Sequence, residues 1–499
     1  MGTLGSGEGE ALKPSLLSII APVCVARHGD TVADLSLDTP VANDSRQVRP
    51  GGVFIAVPGW KFDGHDYIGE AVASGVKAVI HERGLEHYDP RVAYWQCTSS
   101  ALAQGLIWRE FFARPDEALE VLGVTGTNGK TTTAYLLQQI FGRAGRPCGL
   151  ISTVEYRDGK NVYPSTNTTP GARRIYELLA QMRGNGLRAA AMELSSHALD
   201  QRRAAGLHLA AGIFTNLTGD HLDYHGTMEN YYQAKKRMFT ECLSADGVAV
   251  INFDDAFGRR LAGELAGEGR RVETFGLSPE AQWHLADLEL SASHGAFRLI
   301  SANSEHAFSS NLIGAHNIHN LAGVVIAAQA RGIAPEAIDA ALSERIVVPG
   351  RLEAFRRGDG AVFYVDYAHT DDALDNVLAT LRPLATGKLI VVFGAGGNRD
   401  RTKRPRMGRA AAAADLLIVT SDNPRDEEPE AIIREVVAGI PTGSVFETIC
   451  DRREAIRRAG ELAEPGDCVL IAGKGHEDYQ EISGVKHHFS DREEIAKLL

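Results

Sequence analysis

The sequence predicts an α/β fold of three domains, with a central P-loop-type parallel-sheet domain and a C-terminal Rossmann-like domain. Three observations carry this. The chain has 499 residues, which suggests about three domains at the usual ~150 residues each. Short apolar runs alternate with helical stretches through most of it, the pattern of parallel strands covered on both faces. The stretch "GVTGTNGKTTT", Gly123 to Thr133, places a glycine-rich loop between one such run and a helix.

Composition bounds the function. With 44% hydrophobic and 23% charged residues the chain reads as an ordinary globular protein. The formal net charge of -12, without a long basic run, argues against a general nucleic-acid or anionic-membrane binder. No apolar run reaches the length of a membrane span, so no membrane insertion is expected. Six cysteines, Cys24, Cys97, Cys148, Cys242, Cys450 and Cys468, are scattered without a C-x-x-C pair. They fit buried thiols in a reducing compartment, not a disulfide framework or a zinc site.

The first block, residues 1–116, carries the short apolar runs "GGVFIAVPG" and "GVKAVIHE" and few long helices. "SLLSIIAPVCVA", residues 15–26, has only Lys13 ahead of it and is read as the first packed element, not a signal peptide. "MGTLGS" formally fits the Gly2 lipidation pattern but is read as a flexible or appended tail. Arg114-Pro115 is a plausible boundary. In the second block, residues 117–346, "LEVLGVTG", "RAAAMELSS", "AAGIFTNL" and "GVAVINFD" read as buried strands. In the third, residues 347–499, the pattern restarts with "AVFYVDYAH", "KLIVVFGAGG", "ADLLIVTSDN" and "DCVLIAGKG". Nearly every polar cluster follows one of these runs, where open α/β sheets bind ligands.

The glycine-rich loop departs from the usual Gly, four residues, Gly-Lys-Ser/Thr spacing. Val124 stands where a glycine is expected, and the glycine comes two residues later, at Gly126. The other parts are in order. Gly126, Thr127, Asn128 and Gly129 let the backbone approach phosphate, and the helix start offers free N–H groups. Lys130 can reach the β/γ phosphates, and the Thr131 hydroxyl, followed by Thr132, can hold Mg²⁺. Glu193, Ser195, Ser196 and His197 end the second strand of the block; Asp220, His221, Asp223 and His225 follow the third. Asn317 and Asn320 lie three apart, on one helix face.

T-G-T-N-G-K-T-T resembles the ATP loop of the Mur ligases and of the related folate-polyglutamate ligases, in which the altered spacing is the rule. The resemblance covers essentially the whole chain, with the motifs in the same order. It implies a central ATPase domain and a set of roles. ATP would be held by Gly126 through Thr132, by Asn317 and Asn320 near the adenine, and by Arg351 of "PGRLE" from across a domain junction. Asp366 of "VDYAHT", beside His369, would lie near the ribose. Mg²⁺ would be bound by Thr131, Glu193, His221 and Lys235, the last as a carbamate. "YYQAKKRMF" is similar to the family segment Tyr-x-x-Ala-Lys-x-x-x-Phe, and counting from Tyr231 selects Lys235 over Lys236. Carbamylation needs a neutral amine, so desolvation should lower the Lys235 pKa. Lys130, Glu193, His221 and Lys235 are thus the expected catalytic set.

The same resemblance implies the substrates. In "NDSRQVRPGGVFIAVPGWKFDGHDY", Asn43, Ser45 and the Trp60-Lys61-Phe62 stretch would contact a uridine diphosphate. Asn167, Thr168 and Thr169 of "TNTTPG", with Ser195, Gln201 and Arg203, would contact the muramoyl-dipeptide part. Arg399, with Lys403 nearby, Asp422-Asn423-Pro424-Arg425, Gly473 and Glu477, in a loop that also holds Lys474 and His476, would receive an amino acid. Asp-Asn-Pro-Arg is the family's signature for meso-diaminopimelate; the lysine-adding version lacks the arginine.

The implied function is an ATP-dependent amide ligase adding meso-2,6-diaminopimelate to UDP-N-acetylmuramoyl-L-alanyl-D-glutamate. It would work through an acyl phosphate in cytoplasmic peptidoglycan-precursor synthesis, as a monomer. The alternatives are a lysine-adding ligase of the same fold, a folate-polyglutamate-type ligase, or a non-catalytic derivative. Loss of Lys130, Glu193 or His221 would mark the last, and all three are present.

Overall fold

Apart from the stretch at residues 15–26, each apolar run quoted above contains a strand buried along most of its length. The structure is a computed structural model that describes residues 14–59, 62–291 and 294–499. The chain divides into two compact units. The first gathers the chain up to Leu119 with Thr169–Asn185 and His197–His208; the second holds Glu120–Thr168, Gly186–Ser196 and Leu209–Leu499.

The first unit carries a five-stranded sheet in the order Cys24–Gly29, Ala93–Cys97, Ala78–His81, Val53–Ile55, Val41–Ala42. Cys24–Gly29 runs antiparallel to Ala93–Cys97, and the other pairings are parallel. Val53–Ile55 and Ala78–His81 are buried at every residue, which is why they read as unbroken apolar runs. The stretch read as the first packed element is one: the Leu16–Ile20 helix, capped by Ser15, buries Leu16 and Ile20 in the core with Trp95 and Ile107. The long helix Ser100–Phe111 starts at the Ser99 cap, and a second, Ala172–Gly184, belongs to the same unit. The "MGTLGS" tail and Lys13 lie outside the described residues.

The second unit carries an eleven-stranded sheet and a six-stranded sheet. At the middle of the larger, Glu120–Thr125 sits between Ala189–Glu193 and Leu209–Phe214, all parallel. Leu243–Asn252 flanks the latter. The strand that follows Glu120–Thr125 in the chain is not Ala189–Glu193 but Cys148–Ile151, placed beyond it in the sheet. The helices Lys130–Arg143 and Ala315–Ala330 contribute Leu137, Ile140, Leu321 and Val325 to one core with Leu122 and Ile213. Strands Trp283–Leu290, Gly295–Ile300 and Glu305–Ser310 extend one edge of the sheet by antiparallel pairing between them. They are only partly buried, and their alternation is weak in sequence.

The smaller sheet runs Glu353–Arg356, Val362–Asp366, Cys468–Ala472, Leu389–Phe393, Leu416–Val419, Phe446–Thr448. All but the first strand are parallel. A hairpin, Tyr479–Ile482 with Val485–His488, follows. No disulfide joins any two of the six cysteines; Cys24 and Cys450 are half-buried and the other four buried. Among the described residues no helix is long and apolar enough to cross a membrane.

Candidate functional site

The unusual glycine spacing has a geometric reason. Val124 lies inside the strand, opposite Glu193 on one side and Ile213 on the other, and is fully buried. The turn begins only at Gly126, where a Cβ would stand 1.8 Å from the Thr215 hydroxyl. At Gly129, with φ of +85°, a Cβ would stand 2.4 Å from Oδ1 of Asn320. Both glycines are required by close approach. The helix Lys130–Arg143 starts without a side-chain cap, leaving its first N–H groups to a ligand.

The loop is cross-braced by residues that motif reading did not select. Asn216 accepts from the Asn128 N–H at 2.9 Å, and Thr215 donates to the Asn128 carbonyl at 2.6 Å. The Asn128 side chain donates to Asp372 at 2.7 Å. Thr127 meets the Tyr231 hydroxyl at 3.2 Å. The Lys130 ammonium turns back onto the Gly126 and Thr127 carbonyls, at 3.0 and 2.8 Å. Burial pushes its pKa down, against Glu193 and Asp220. Thr132, the last loop position singled out, is buried.

Glu193 ends its strand, fully buried, beside this loop. Thr131 donates to its Oε2 at 3.1 Å, while the Thr153 N–H and hydroxyl reach its two oxygens at 2.8 and 3.1 Å. Arg351 donates to the Thr131 hydroxyl at 3.0 Å and lies 4.6 Å over the Tyr367 ring. Lys235 is buried, its ammonium 2.6 Å from the Gly126 carbonyl and 4.5 Å over the Tyr231 ring. Burial first, then Lys130, drives its pKa well below the usual lysine value. Lys236 instead turns outward to Glu264 and Glu268, at 3.1 and 3.4 Å. Successive helix residues point about 100° apart at 3.6 per turn, which separates the pair.

His221 sits at φ +55° with its ring 3.4 Å from Asp220 and edge-on to Tyr231. Asp220 is opposed by burial but held down to about 2 by His221, His369 and Lys403. His225 is buried against Ser196, and Asp223 is exposed. Among the described residues no cluster of three His, Cys, Asp or Glu side chains is assembled for a metal. The oxygens at hand are Thr131, Glu193 and Thr153. Hard oxygen donors few in number fit Mg²⁺, which keeps waters and substrate phosphates in its shell.

Asn320 borders Gly129, whereas Asn317 donates to the Ile313 carbonyl at 2.8 Å. Asp366 accepts from the Leu352 and Ala368 N–H groups, both at 2.8 Å, so in this state it organises its own loop. Burial raises its pKa.

At the ends of the smaller sheet a second polar cluster forms. Asn423 donates to Glu477 at 2.9 Å, and Gln480 donates to the Asp422 carbonyl at 2.7 Å. Arg425, at φ +53°, donates to the Gly397 carbonyl at 2.7 Å and pairs with Glu481 at 3.3 Å. A Cβ at Gly473 would lie 2.6 Å from Asp422, and one at Gly397 1.8 Å from the Pro424 carbonyl. The Gly397 and Pro424 loops touch at their backbones, and Gly473 packs on the Asp422 carboxylate. Arg399 is exposed, its stem bordering Gly396 as Arg425 does.

The nucleotide-substrate candidates divide between the units. In the first, Asn43 is exposed, Ser45 opens a turn capped by Asp44, and Phe62 is 71% exposed. Trp60 and Lys61 lie outside the described residues. Arg203 donates to the Thr169 carbonyl at 3.1 Å and grips Gln201 at 2.7 and 3.0 Å. In the second, the Asn167 carbonyl accepts from Tyr156 at 2.6 Å, Thr168 meets Thr153 at 3.0 Å, and Ser195 is half-buried two residues beyond Glu193.

Sequence models of the Mur ligase middle domain match residues 124–328, of the Mur ligase glutamate ligase domain 350–475, and of the Mur ligase family catalytic domain 39–104. The chain is 42% identical over 475 residues to the UDP-N-acetylmuramoyl-L-alanyl-D-glutamate–2,6-diaminopimelate ligase of Geobacter metallireducens, covering 91% of this chain and 92% of that one. It is 44% identical over 457 residues to the protein of the same name from Aquifex aeolicus, again covering 91% and 92%. A solved structure of a ligase so named aligns with TM-score 0.68 and 35% identity, over 98% of this chain and 99% of that one. Folylpolyglutamate synthase of Mycobacterium tuberculosis shares the fold alone, at TM-score 0.61 and 17% identity, over 74% of this chain and 92% of that one.

Proposed function

The chain belongs to the Mur ligase family, and on that premise we propose that it is an ATP-dependent amide ligase adding meso-2,6-diaminopimelate to UDP-N-acetylmuramoyl-L-alanyl-D-glutamate. The observation that carries the reading is its likeness, at 42% identity over 91% of its length, to a relative named for that reaction. The Asn423–Glu477 pairing beside Arg425 supports it, since it gathers cationic and anionic groups for a zwitterion. A lysine- or folate-directed activity is not favoured by either.

A carboxylate is a poor electrophile, so the D-glutamate γ-carboxylate would first be phosphorylated by ATP. The amine of diaminopimelate then attacks the acyl carbon, the new C–N bond forms, the C–O bond to phosphate breaks, and the amine proton is lost. Catalysis here is positioning and charge neutralisation. Lys130, leaving the loop carbonyls, would meet the transferring phosphoryl oxygens. Asn320 and Gly129 would border the base, Asn317 would support that helix end, and Asp366 would turn toward the ribose. Mg²⁺ would be held by Thr131 and Glu193, with His221 and a carbamylated Lys235, and would neutralise phosphoryl charge. Burial favours the neutral Lys235 amine, the form that adds to CO₂ with loss of a proton. Exposed Phe62 suits stacking on a base, with Asn43 and Ser45 beside the uridine. Asn167, Thr168, Thr169, Ser195, Gln201 and Arg203 would receive the muramoyl-dipeptide. Arg425 and Arg399 would take the distal carboxylate and Glu477 the distal ammonium, with Asp422, Pro424 and Gly473 shaping the loops. We place the protein in the cytoplasm, as a monomer.

The test is ADP release with the nucleotide dipeptide, comparing meso-diaminopimelate with lysine. Release dependent on diaminopimelate is expected. Equal release with lysine would overturn the specificity, and none with either amino acid the activity.

A further inference from the structure

Lys474 has no exposed surface and stands outside the contacts assigned above. Its ammonium donates to Oδ1 of Asn423 at 3.1 Å and to Oε2 of Glu477 at 3.3 Å, and lies 5.6 Å over the Tyr479 ring. An ammonium can only donate, and so can the Glu481 N–H, which reaches the same Asn423 oxygen at 2.9 Å. Together they fix which way the Asn423 amide faces. Its Nδ2 is thereby turned to Glu477, where it donates to Oε2 at 2.9 Å. Oε2 of Glu477 is thus occupied twice, while among the described residues Oε1 has a single long contact, 3.4 Å from the Tyr367 hydroxyl. Oε1 is the more weakly held of the two oxygens. The same Glu481 also pairs with Arg425, so the lock reaches the arginine as well.

From this arrangement, and resting on the diaminopimelate reading, we infer that Lys474 is a positioning residue for the amino acid: it orients Asn423 and keeps Glu477 presented, through Oε1, to the substrate ammonium. Without the cation, the Asn423 oxygen keeps only the Glu481 N–H, and Glu477 loses the hydrogen bond and the positive charge at its Oε2. The carboxylate is then held through Oε2 by Asn423 alone and is less firmly presented. A buried ammonium that merely fills space would be replaceable by an apolar chain of the same length without loss of amino-acid binding.

The experiment compares Lys474→Met, Glu477→Gln, the double variant and Arg425→Ala, each in the full-length enzyme. In Lys474→Met, KM for diaminopimelate rises roughly ten- to a hundredfold, the range for losing hydrogen bonds to a charged group, while KM for ATP stays unchanged. At saturating diaminopimelate kcat recovers. Because the lysine acts through the carboxylate, the double variant has the KM of Glu477→Gln alone. That comparison also serves if Lys474→Met does not fold, since the double variant buries no unpaired charge. A normal KM in Lys474→Met, or a further rise in the double variant over Glu477→Gln, overturns the inference. An unchanged KM in Glu477→Gln overturns it too. If Arg425→Ala is also unchanged, the diaminopimelate reading beneath it fails.

Discussion

Arg351 donates to the hydroxyl of Thr131 at 3.0 Å, tying the entry to the smaller sheet to the first turn of the phosphate-loop helix. The guanidinium lies over Tyr367, and its buried Nε has no partner among the described residues. On the proposed reading, this cation with an unfilled donor would meet phosphate oxygens of ATP. Arg351→Ala should raise KM for ATP about ten- to a hundredfold and leave KM for diaminopimelate unchanged, as expected for a lost charge-assisted contact. Steady-state titration of each substrate checks it.

Lys130→Ala should lower the ligation rate by ~10²–10³, the cost of one preorganised electrostatic contact to the transferring group. Near-normal ADP release by this variant would remove Lys130 from the phosphoryl site.

Lys235→Ala should be almost inactive, with partial rescue by acetate entering the vacated space. Lys236→Ala should be mild, because Lys236 faces Glu264 and Glu268. A ¹³C-labelled carbamate signal in ¹³CO₂-equilibrated enzyme, absent from Lys235→Ala, is the spectroscopic check.

Arg425→Ala should raise KM for diaminopimelate sharply and narrow its advantage over lysine. A guanidinium meets a carboxylate at two points, and lysine has no carboxylate at its far end. Full retention of the preference would shift selection to Arg399.

Arg452 and Asp491 form an ion pair with neither side chain exposed, at 2.8 Å, and Arg452 also donates to the Ala472 carbonyl at 2.9 Å. Asp491→Ala should cost about 3–5 kcal/mol in denaturant unfolding, since it strands a buried charge. Replacing both partners by apolar residues should recover much of that.

The sequence by itself determined the buried parallel strands and the loops at their ends. Runs such as "LIVVF" and the "AAAM" that leads to Glu193 are apolar at every position because both faces of a parallel strand are covered. Its resemblance to the family segment Tyr-x-x-Ala-Lys-x-x-x-Phe also singled out Lys235 over Lys236. The edge strands from Trp283 to Ser310 were less legible, because partial exposure leaves polar residues among the apolar ones. Only the tertiary structure decided the bracing. Asn128 meets Asp372, Thr131 meets Arg351, and Lys474 meets Asn423, pairs separated by 244, 220 and 51 residues. Sheet order brings such partners together, with Cys148–Ile151 set outside Ala189–Glu193 although it comes first in the chain. A motif records the chemistry of one loop, whereas a hydrogen bond between two loops depends on which strands became neighbours, and that is settled by packing.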